Sequence, residues 1–159
     1  MIVDSSAIVA ILRDEPEAAV FTRLITTAPV VRISAATYVE LGVVIDGSRD
    51  PVLSSALDRI LEESRVVIEP LTPSRAQIAR IAYQHFGKGS GHPARLNLAD
   101  CFSYALAREL NEPLLFKGDD FRQTDIPFVG QPAERQRLSE LLADYGTTRS
   151  QVALVAARP

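Results

Sequence analysis

The order of apolar and polar positions predicts short strands alternating with helices along most of the chain. Apolar or β-branched runs at 1–4, 30–33, 66–68 and 113–116 are too short for stable helices and predict four strands. Between them, apolar residues recur at helical spacing after Asp, Ser, Thr or Asn residues suited to capping a helix. This alternation is typical of an α/β fold with a parallel sheet covered on both faces, in which ligands bind beyond the carboxyl ends of the strands.

Six helices are predicted beside these strands. The second, from Glu17 to Thr27, is expected to turn Val20, Phe21 and Leu24 inward, and Ser34 is expected to cap the third. The other four are placed by apolar spacing and by breaking residues at their ends, over about 5–12, 51–64, 73–86 and 97–111.

Two segments fall outside this alternation. Three glycines and a proline between positions 87 and 93 predict a flexible loop, which Arg95 ends. Beyond residue 130 the chain is polar, and the stretch from Ala133 to Tyr145 predicts an amphipathic helix followed by a tail. We therefore expect one domain over 1–130 and a C-terminal extension over 131–159.

Composition restricts the class of protein. A chain of 159 residues with 47% hydrophobic and 23% charged residues is typical of a single globular domain. The lone Cys101 excludes an internal disulfide, and two separated histidines give no zinc pattern. No signal sequence follows Met1, and no apolar run approaches the roughly 20 residues that span a bilayer. A cytoplasmic protein without a membrane contact is expected.

The formal net charge of −3 argues against a generally basic surface for nucleic acid. The objection is weaker for an enzyme whose active site is a cluster of carboxylates, because those acids lower the net charge while a metal ion offsets them locally. Charge alone therefore does not decide between function classes.

Four acids fall near predicted strand ends or on neighbouring helices: Asp4, Glu40, Asp100 and Asp119. Each has an ordinary explanation, as a helix cap, a solvent-facing helical residue, half of a capping box, or a turn former. Asp4 and Asp100, however, lie in apolar sequence without a neighbouring Lys or Arg, and buried acids need partners. A divalent cation with a preference for oxygen ligands, Mg²⁺ or Mn²⁺, is a natural partner, and such a site can hydrolyse phosphodiesters.

Four motifs in order resemble the PIN-domain family, in particular its VapC-type toxins. Residues 2–7, Ile-Val-Asp-Ser-Ser-Ala, are similar to the opening motif, and residues 37–40 resemble the family's helix-borne glutamate motif. Residues 96–101 are similar to its strongest internal motif, and residues 113–116 lead to Gly118-Asp119-Asp120-Phe121, where either acid matches and Asp119 is preferred. The resemblance covers about Met1 to Val129.

This resemblance implies a three-layer α/β/α sandwich with a short, mostly parallel sheet, and a magnesium-dependent endoribonuclease. Asp4 and Asp100 would be the principal Mg²⁺ ligands, Asp119 a further ligand, Glu40 a ligand or water-orienting base, and Ser6 a supporting residue. Mn²⁺ is a possible substitute. The implied partners are an RNA substrate, a cognate VapB-like antitoxin that silences the enzyme, and a second copy in a homodimer within a toxin–antitoxin hetero-oligomer.

Two other functions are weighed. A phosphatase of the haloacid dehalogenase type also has an aspartate after its first strand, but it uses Asp-x-Asp where this chain has Ser6. A PIN fold retained as a binding module without turnover would leave the acids as caps. The glycine-rich loop lacks the spacing of a nucleotide-binding motif, whereas Lys88, His92 and Arg95 could meet RNA phosphates.

Overall fold

Four short parallel strands build the central sheet in the computed structural model, which describes residues 1–130. The strands are β1 (Ile2–Val3), β2 (Arg32–Ser34), β3 (Val67–Glu69) and β4 (Leu114–Leu115), in the spatial order β3-β2-β1-β4. The predicted α/β fold with a parallel sheet is thereby confirmed. The helix predicted over Ala133–Tyr145 and the extension 131–159 lie outside the described residues.

Six helices accompany the sheet, as predicted. They are α1 (Ser5–Leu12), α2 (Ala18–Thr27), α3 (Ala35–Asp46), α4 (Pro51–Glu63), α5 (Pro73–Phe86) and α6 (Leu98–Leu110). No helix within residues 1–130 is both long and apolar enough to cross a membrane.

Polar residues at the helix starts explain where several helices begin. Asp4, Asp50, Thr72 and Asn97 each accept a hydrogen bond from a backbone N–H in the first turn of the following helix. Ser34 occupies the N-cap position of α3, but its side chain makes no capping hydrogen bond, so the prediction for this residue is only partly right.

The sheet is most deeply buried at its centre. Both residues of β1 are fully buried, and Ile2 belongs to a core formed largely with α5, α6 and β4. The edge strand β3 differs, since Val67 and Ile68 are 41% and 47% exposed, so the sheet is not covered along its whole width. On α2, Phe21 is buried as predicted, whereas Val20 is 51% exposed.

The position of β1 determines where a site can form. Ile2 lies opposite Arg32 of β2 and Leu114 of β4, so the carboxyl ends of the neighbouring β1 and β4 lie side by side. Asp4 follows β1 directly, and the segment from Lys117 to Asp120 follows β4. The helices α3 and α6, which carry Glu40 and Asp100, pack against each other.

Candidate metal site at the carboxyl edge of the sheet

Asp4 is buried and accepts hydrogen bonds on both carboxylate oxygens. Only 2% of the residue is exposed. Oδ1 accepts from the Ser6 backbone N–H at 2.9 Å and from the Ser6 hydroxyl at 2.7 Å, while Oδ2 accepts from the Ser103 hydroxyl at 2.7 Å. The capping role weighed for Asp4 is therefore real, and it fixes the orientation of a buried carboxylate that has no cationic partner within the described residues.

The Ser6 hydroxyl links Asp4, which follows β1, to Lys117, which follows β4. Its hydroxyl hydrogen points to Asp4, and its oxygen accepts a hydrogen bond from the Lys117 backbone N–H at 3.0 Å. This bond ties the segment after β4 to the start of α1, as expected for a residue that supports Asp4. The Lys117 amine lies in ion pairs with Glu15 at 2.5 Å and Glu17 at 3.1 Å.

A pair of buried hydroxyls connects Asp4 to α3. Ser103 on α6 and Thr37 on α3 are both fully buried, and their oxygens are 3.1 Å apart. Because the single hydroxyl hydrogen of Ser103 is donated to Asp4, Thr37 must donate to Ser103. Neither residue was predicted from the sequence to belong to the site. Each lies three positions from a candidate acid, Asp100 or Glu40, so a polar residue one helical turn from an acid was the available signal.

Glu40 carries a buried oxygen without a partner. Its Oε2 atom is inaccessible to solvent and makes no hydrogen bond within residues 1–130. An unpaired buried carboxylate oxygen is costly, and such an atom is explained when it serves an ion or a water molecule. Glu40 lies one turn after Thr37 on α3, on the helix that the hydroxyl pair connects to Asp4.

Asp100 is partly buried and electrostatically coupled to other acids. One carboxylate oxygen accepts from the Asn97 backbone N–H at 2.6 Å, which completes the capping box anticipated for this residue. Burial raises the pKa of Asp100 to about 6. The Asn97 hydrogen bond and the charge of Lys88 lower this pKa, whereas the charges of Asp4 and Asp120 raise it further. Three acids from three elements therefore share one electrostatic environment.

The two candidates for the last acid are placed differently. The Asp119 side chain is 88% exposed and forms an ion pair with Arg122 at 3.4 Å. Asp120 begins a short 3₁₀ helix (Asp120–Gln123), and its charge acts on Asp100. The effect of the Asp120 charge on Asp100 favours Asp120 over the preferred Asp119, and the choice between them stays a prediction.

The donor set fits a hard divalent cation that retains water ligands. Within residues 1–130, no three Asp, Glu, His or Cys side chains are already arranged to hold one ion. Mg²⁺ often keeps several waters and uses only one or two protein carboxylates, so a complete protein cage is not needed. Within the described residues, the unpartnered oxygen of Glu40 and the absence of an ion pair to Asp4 or Asp100 are consistent with such an ion.

Comparison with known proteins identifies the family. The PIN domain model matches residues 1–127, and Ribonuclease VapC28 of Mycobacterium tuberculosis is 56% identical over 126 residues, which are 79% of this chain and 95% of that protein. The chain belongs to the PIN-domain family. A second VapC-type relative of this PIN domain, Ribonuclease VapC42 of the same organism, is 48% identical over 79% of this chain and 96% of its own. The predicted family is confirmed.

A solved structure shows the same fold at low sequence identity. The M. tuberculosis toxin VapC20, described as cleaving the sarcin–ricin loop, superposes with a TM-score of 0.59 at 21% identity, covering 76% of this chain and 92% of its own. The predicted PIN fold is confirmed by this likeness together with the family match.

Proposed function

We propose that this PIN domain is a magnesium-dependent endoribonuclease, the toxin of a VapBC-type toxin–antitoxin pair. One observation carries the proposal: acids from three elements, Asp4, Asp100 and Asp120, share one electrostatic environment at the carboxyl edge of the sheet, where burial and the charges of Asp4 and Asp120 raise the pKa of Asp100 to about 6. A core that served stability alone would pair or replace these acids. The ribonuclease names of the VapC-type relatives support the choice of reaction.

Asp4 and Asp100 are the proposed principal ligands of the ion, and Mn²⁺ is a possible substitute for Mg²⁺. When bound, the ion would lower the pKa of a water molecule and offset charge on the phosphodiester. Glu40 is proposed to orient that water and accept its proton, because its Oε2 atom has no other partner in the described chain. Asp120 is the proposed last acid, and Asp119, which was preferred from the sequence, is the alternative.

Ser6, Ser103 and Thr37 are proposed as positioning residues. Ser6 and Ser103 hold opposite oxygens of Asp4, so the carboxylate cannot rotate without breaking a hydrogen bond at 2.7 Å. Thr37 fixes the Ser103 hydroxyl from the helix that carries Glu40. Residues that orient metal ligands in this way commonly change metal affinity or activity about 10- to 100-fold when removed.

Two protein partners are proposed alongside the RNA substrate. A cognate VapB-like antitoxin would silence the enzyme, and a homodimer would cover α3, where Val39 and Val43 are 61% and 68% exposed one turn apart. A solved Klebsiella pneumoniae neighbour is titled a toxin–antitoxin complex, which supports the first partner. Light scattering of the purified chain would test the dimer, and co-purification with the product of an adjacent gene would test the antitoxin. We place the activity in the cytoplasm.

Cleavage of total RNA by the purified, antitoxin-free chain tests the proposed reaction. Parallel reactions contain Mg²⁺, EDTA, or Mg²⁺ with Asp100→Asn, and Asp58→Asn serves as the control because Asp58 is an exposed acid on α4. We expect discrete fragments only for the wild type and the control with Mg²⁺. No fragments in any lane would instead favour a binding module with the PIN fold.

A further inference from the structure

The loop over residues 87–95, here called the Lys88 loop, holds a cation that lies in no ion pair of residues 1–130. The chain has only two lysines, and the amine of the other, Lys117, is held by Glu15 and Glu17. Within residues 1–130, no salt bridge or hydrogen bond involves the Lys88 amine. No ion pair within the described part of the chain therefore occupies the Lys88 amine.

The backbone fixes Lys88 next to the acidic site. The Lys88 N–H donates to the Leu96 carbonyl at 2.9 Å, and the Asn97 N–H donates to the Asp100 carboxylate at 2.6 Å. The Leu96 carbonyl and the Asn97 N–H form one peptide group. This group accepts a hydrogen bond from the Lys88 backbone on one side and donates one to the Asp100 carboxylate on the other. The charge of Lys88 lowers the pKa of Asp100, as expected for two residues that hydrogen-bond to the same peptide group.

Backbone hydrogen bonds close the base of the Lys88 loop, whose predicted flexibility stays a prediction. A bridge between Gly87 and Leu96 closes it, and the Leu96 N–H donates to the Phe86 carbonyl at 2.8 Å. The His92 ring packs edge-on against Phe86 at 4.9 Å between centroids, and its Nδ1 accepts from the Ala94 N–H at 3.2 Å. The His92 ring thus makes its contacts within the loop and with Phe86. The Lys88 backbone is held by its hydrogen bond to Leu96.

An RNA strand must bring several phosphates close to a cluster of acids. The ion and the cleaved phosphate offset part of that repulsion, but the adjoining phosphates need a cation from the protein. We propose that Lys88 binds an RNA phosphate next to the one that is cleaved, as a contact that is independent of base sequence. This inference rests on the proposed ribonuclease function and names how that site holds its substrate.

Binding of a labelled single-stranded RNA to full-length Asp4→Asn, a variant designed not to cleave, tests the contact over a salt series. In this background Lys88→Met should weaken binding roughly five- to tenfold at low salt and reduce the salt slope by about one phosphate contact. Lys88→Arg should keep most of the affinity. Arg23→Ala is the control, since Arg23 is an exposed residue in the middle of α2, a helix that carries none of the candidate acids.

Equal RNA affinity of Lys88→Met and its parent, or equal losses in Lys88→Met and Arg23→Ala, would overturn the contact. A second measurement, Mg²⁺ binding to Lys88→Met in the otherwise wild-type chain, should show unchanged or tighter binding, because a positive charge is removed from beside Asp100. Weaker Mg²⁺ binding would show that Lys88 serves the acids rather than RNA and would also overturn it. The proposed ribonuclease function is tested separately, by measuring RNA cleavage by the wild type.

Discussion

Two groups of acids in this domain differ in whether arginines accompany them. The first, here called the ion-pair network, contains Glu69, Glu109 and Glu112 with their cationic partners Arg32, Arg75 and the Met1 amine. The second is the candidate metal site, where the described structure shows no ion pair to Asp4, Glu40 or Asp100.

The pKa values of Glu109 and Glu112 in the ion-pair network move in the opposite direction to that of Asp100 in the candidate metal site. A hydrogen bond from Arg75 lowers the pKa of Glu109. Burial opposes the charge of Glu112, but hydrogen bonds from the Met1 amine and Arg32 outweigh it and lower that pKa as well. Burial instead raises the pKa of Asp100 to about 6. The fold supplies arginines to the acids of the ion-pair network, whereas Asp100 lies in no ion pair of the described residues, as the proposed metal site requires.

The largest effect is expected from neutralising Asp4. Asp4→Asn keeps the shape of the side chain but removes a proposed ligand charge, so cleavage should fall on the order of a thousandfold, about 4 kcal/mol of transition-state stabilisation. Glu112→Gln removes an acid from the ion-pair network and should leave the cleavage rate within about twofold at a temperature where both variants are folded. Initial rates on one RNA, with circular dichroism of each variant, make the comparison. Undiminished cleavage by Asp4→Asn would refute the site.

Removing the Ser103 hydroxyl should give the next largest effect. Ser103→Ala frees one oxygen of Asp4, and we expect Mg²⁺ affinity or the cleavage rate to fall about 10- to 100-fold. Ser54→Ala is the matched control, because the Ser54 hydroxyl donates to Asp46 over the same 2.7 Å in an exposed setting. Calorimetric Mg²⁺ titration separates positioning from stability. Lower stability of Ser103→Ala with unchanged Mg²⁺ affinity would leave Ser103 a structural role only.

The neighbouring acids Asp119 and Asp120 provide a smaller and sharper test. Asp120→Asn should slow cleavage roughly tenfold, because its charge belongs to the site, whereas Asp119→Asn should change the rate less than about twofold. Both rates are measured at saturating Mg²⁺ on the same RNA. The reverse ranking would restore Asp119 as the last acid.

The smallest effect is expected in the free energy of unfolding when no metal ion is bound. Because the folded pKa of Asp100 is raised, the folded state binds this proton more tightly, and its contribution to stability is lost as the pH rises from about 4 through about 6. In EDTA at pH 7.5, Asp100→Asn should therefore be more stable than the wild type, by roughly 1 kcal/mol after allowance for solvent screening. The Asn oxygen can still accept from the Asn97 N–H and keep the cap.

Urea unfolding at several pH values checks this expectation. The difference between the two proteins should shrink toward pH 4 and, at pH 7.5, should reverse when Mg²⁺ is added, because the ion stabilises only the protein that binds it. A wild type that gains stability relative to Asp100→Asn between pH 4 and 6 in EDTA would show that the pKa of Asp100 is not raised.

Much of the fold followed from local patterns. The strand at Ile2–Val3 and the helix that begins after Asp4 were visible as an apolar run followed by capping residues. The exposure of Val20 and Ile68 could not be predicted from the sequence, because an apolar residue on a helix or strand faces the core only where another element covers it. The pairing of Gly87 with Leu96 at the base of the Lys88 loop was not visible either, because it joins residues on opposite sides of a glycine-rich segment.

The sequence by itself determined the order of elements and the acids worth considering, because both depend on residue type and short spacing. Only the tertiary structure decided which atoms meet. Ser103 and Asp4 are 99 positions apart yet within hydrogen-bond distance, and Lys88 and Asp100 share a peptide group through a loop closure. Such contacts depend on how strands and helices stack in three dimensions, and no local spacing encodes that arrangement.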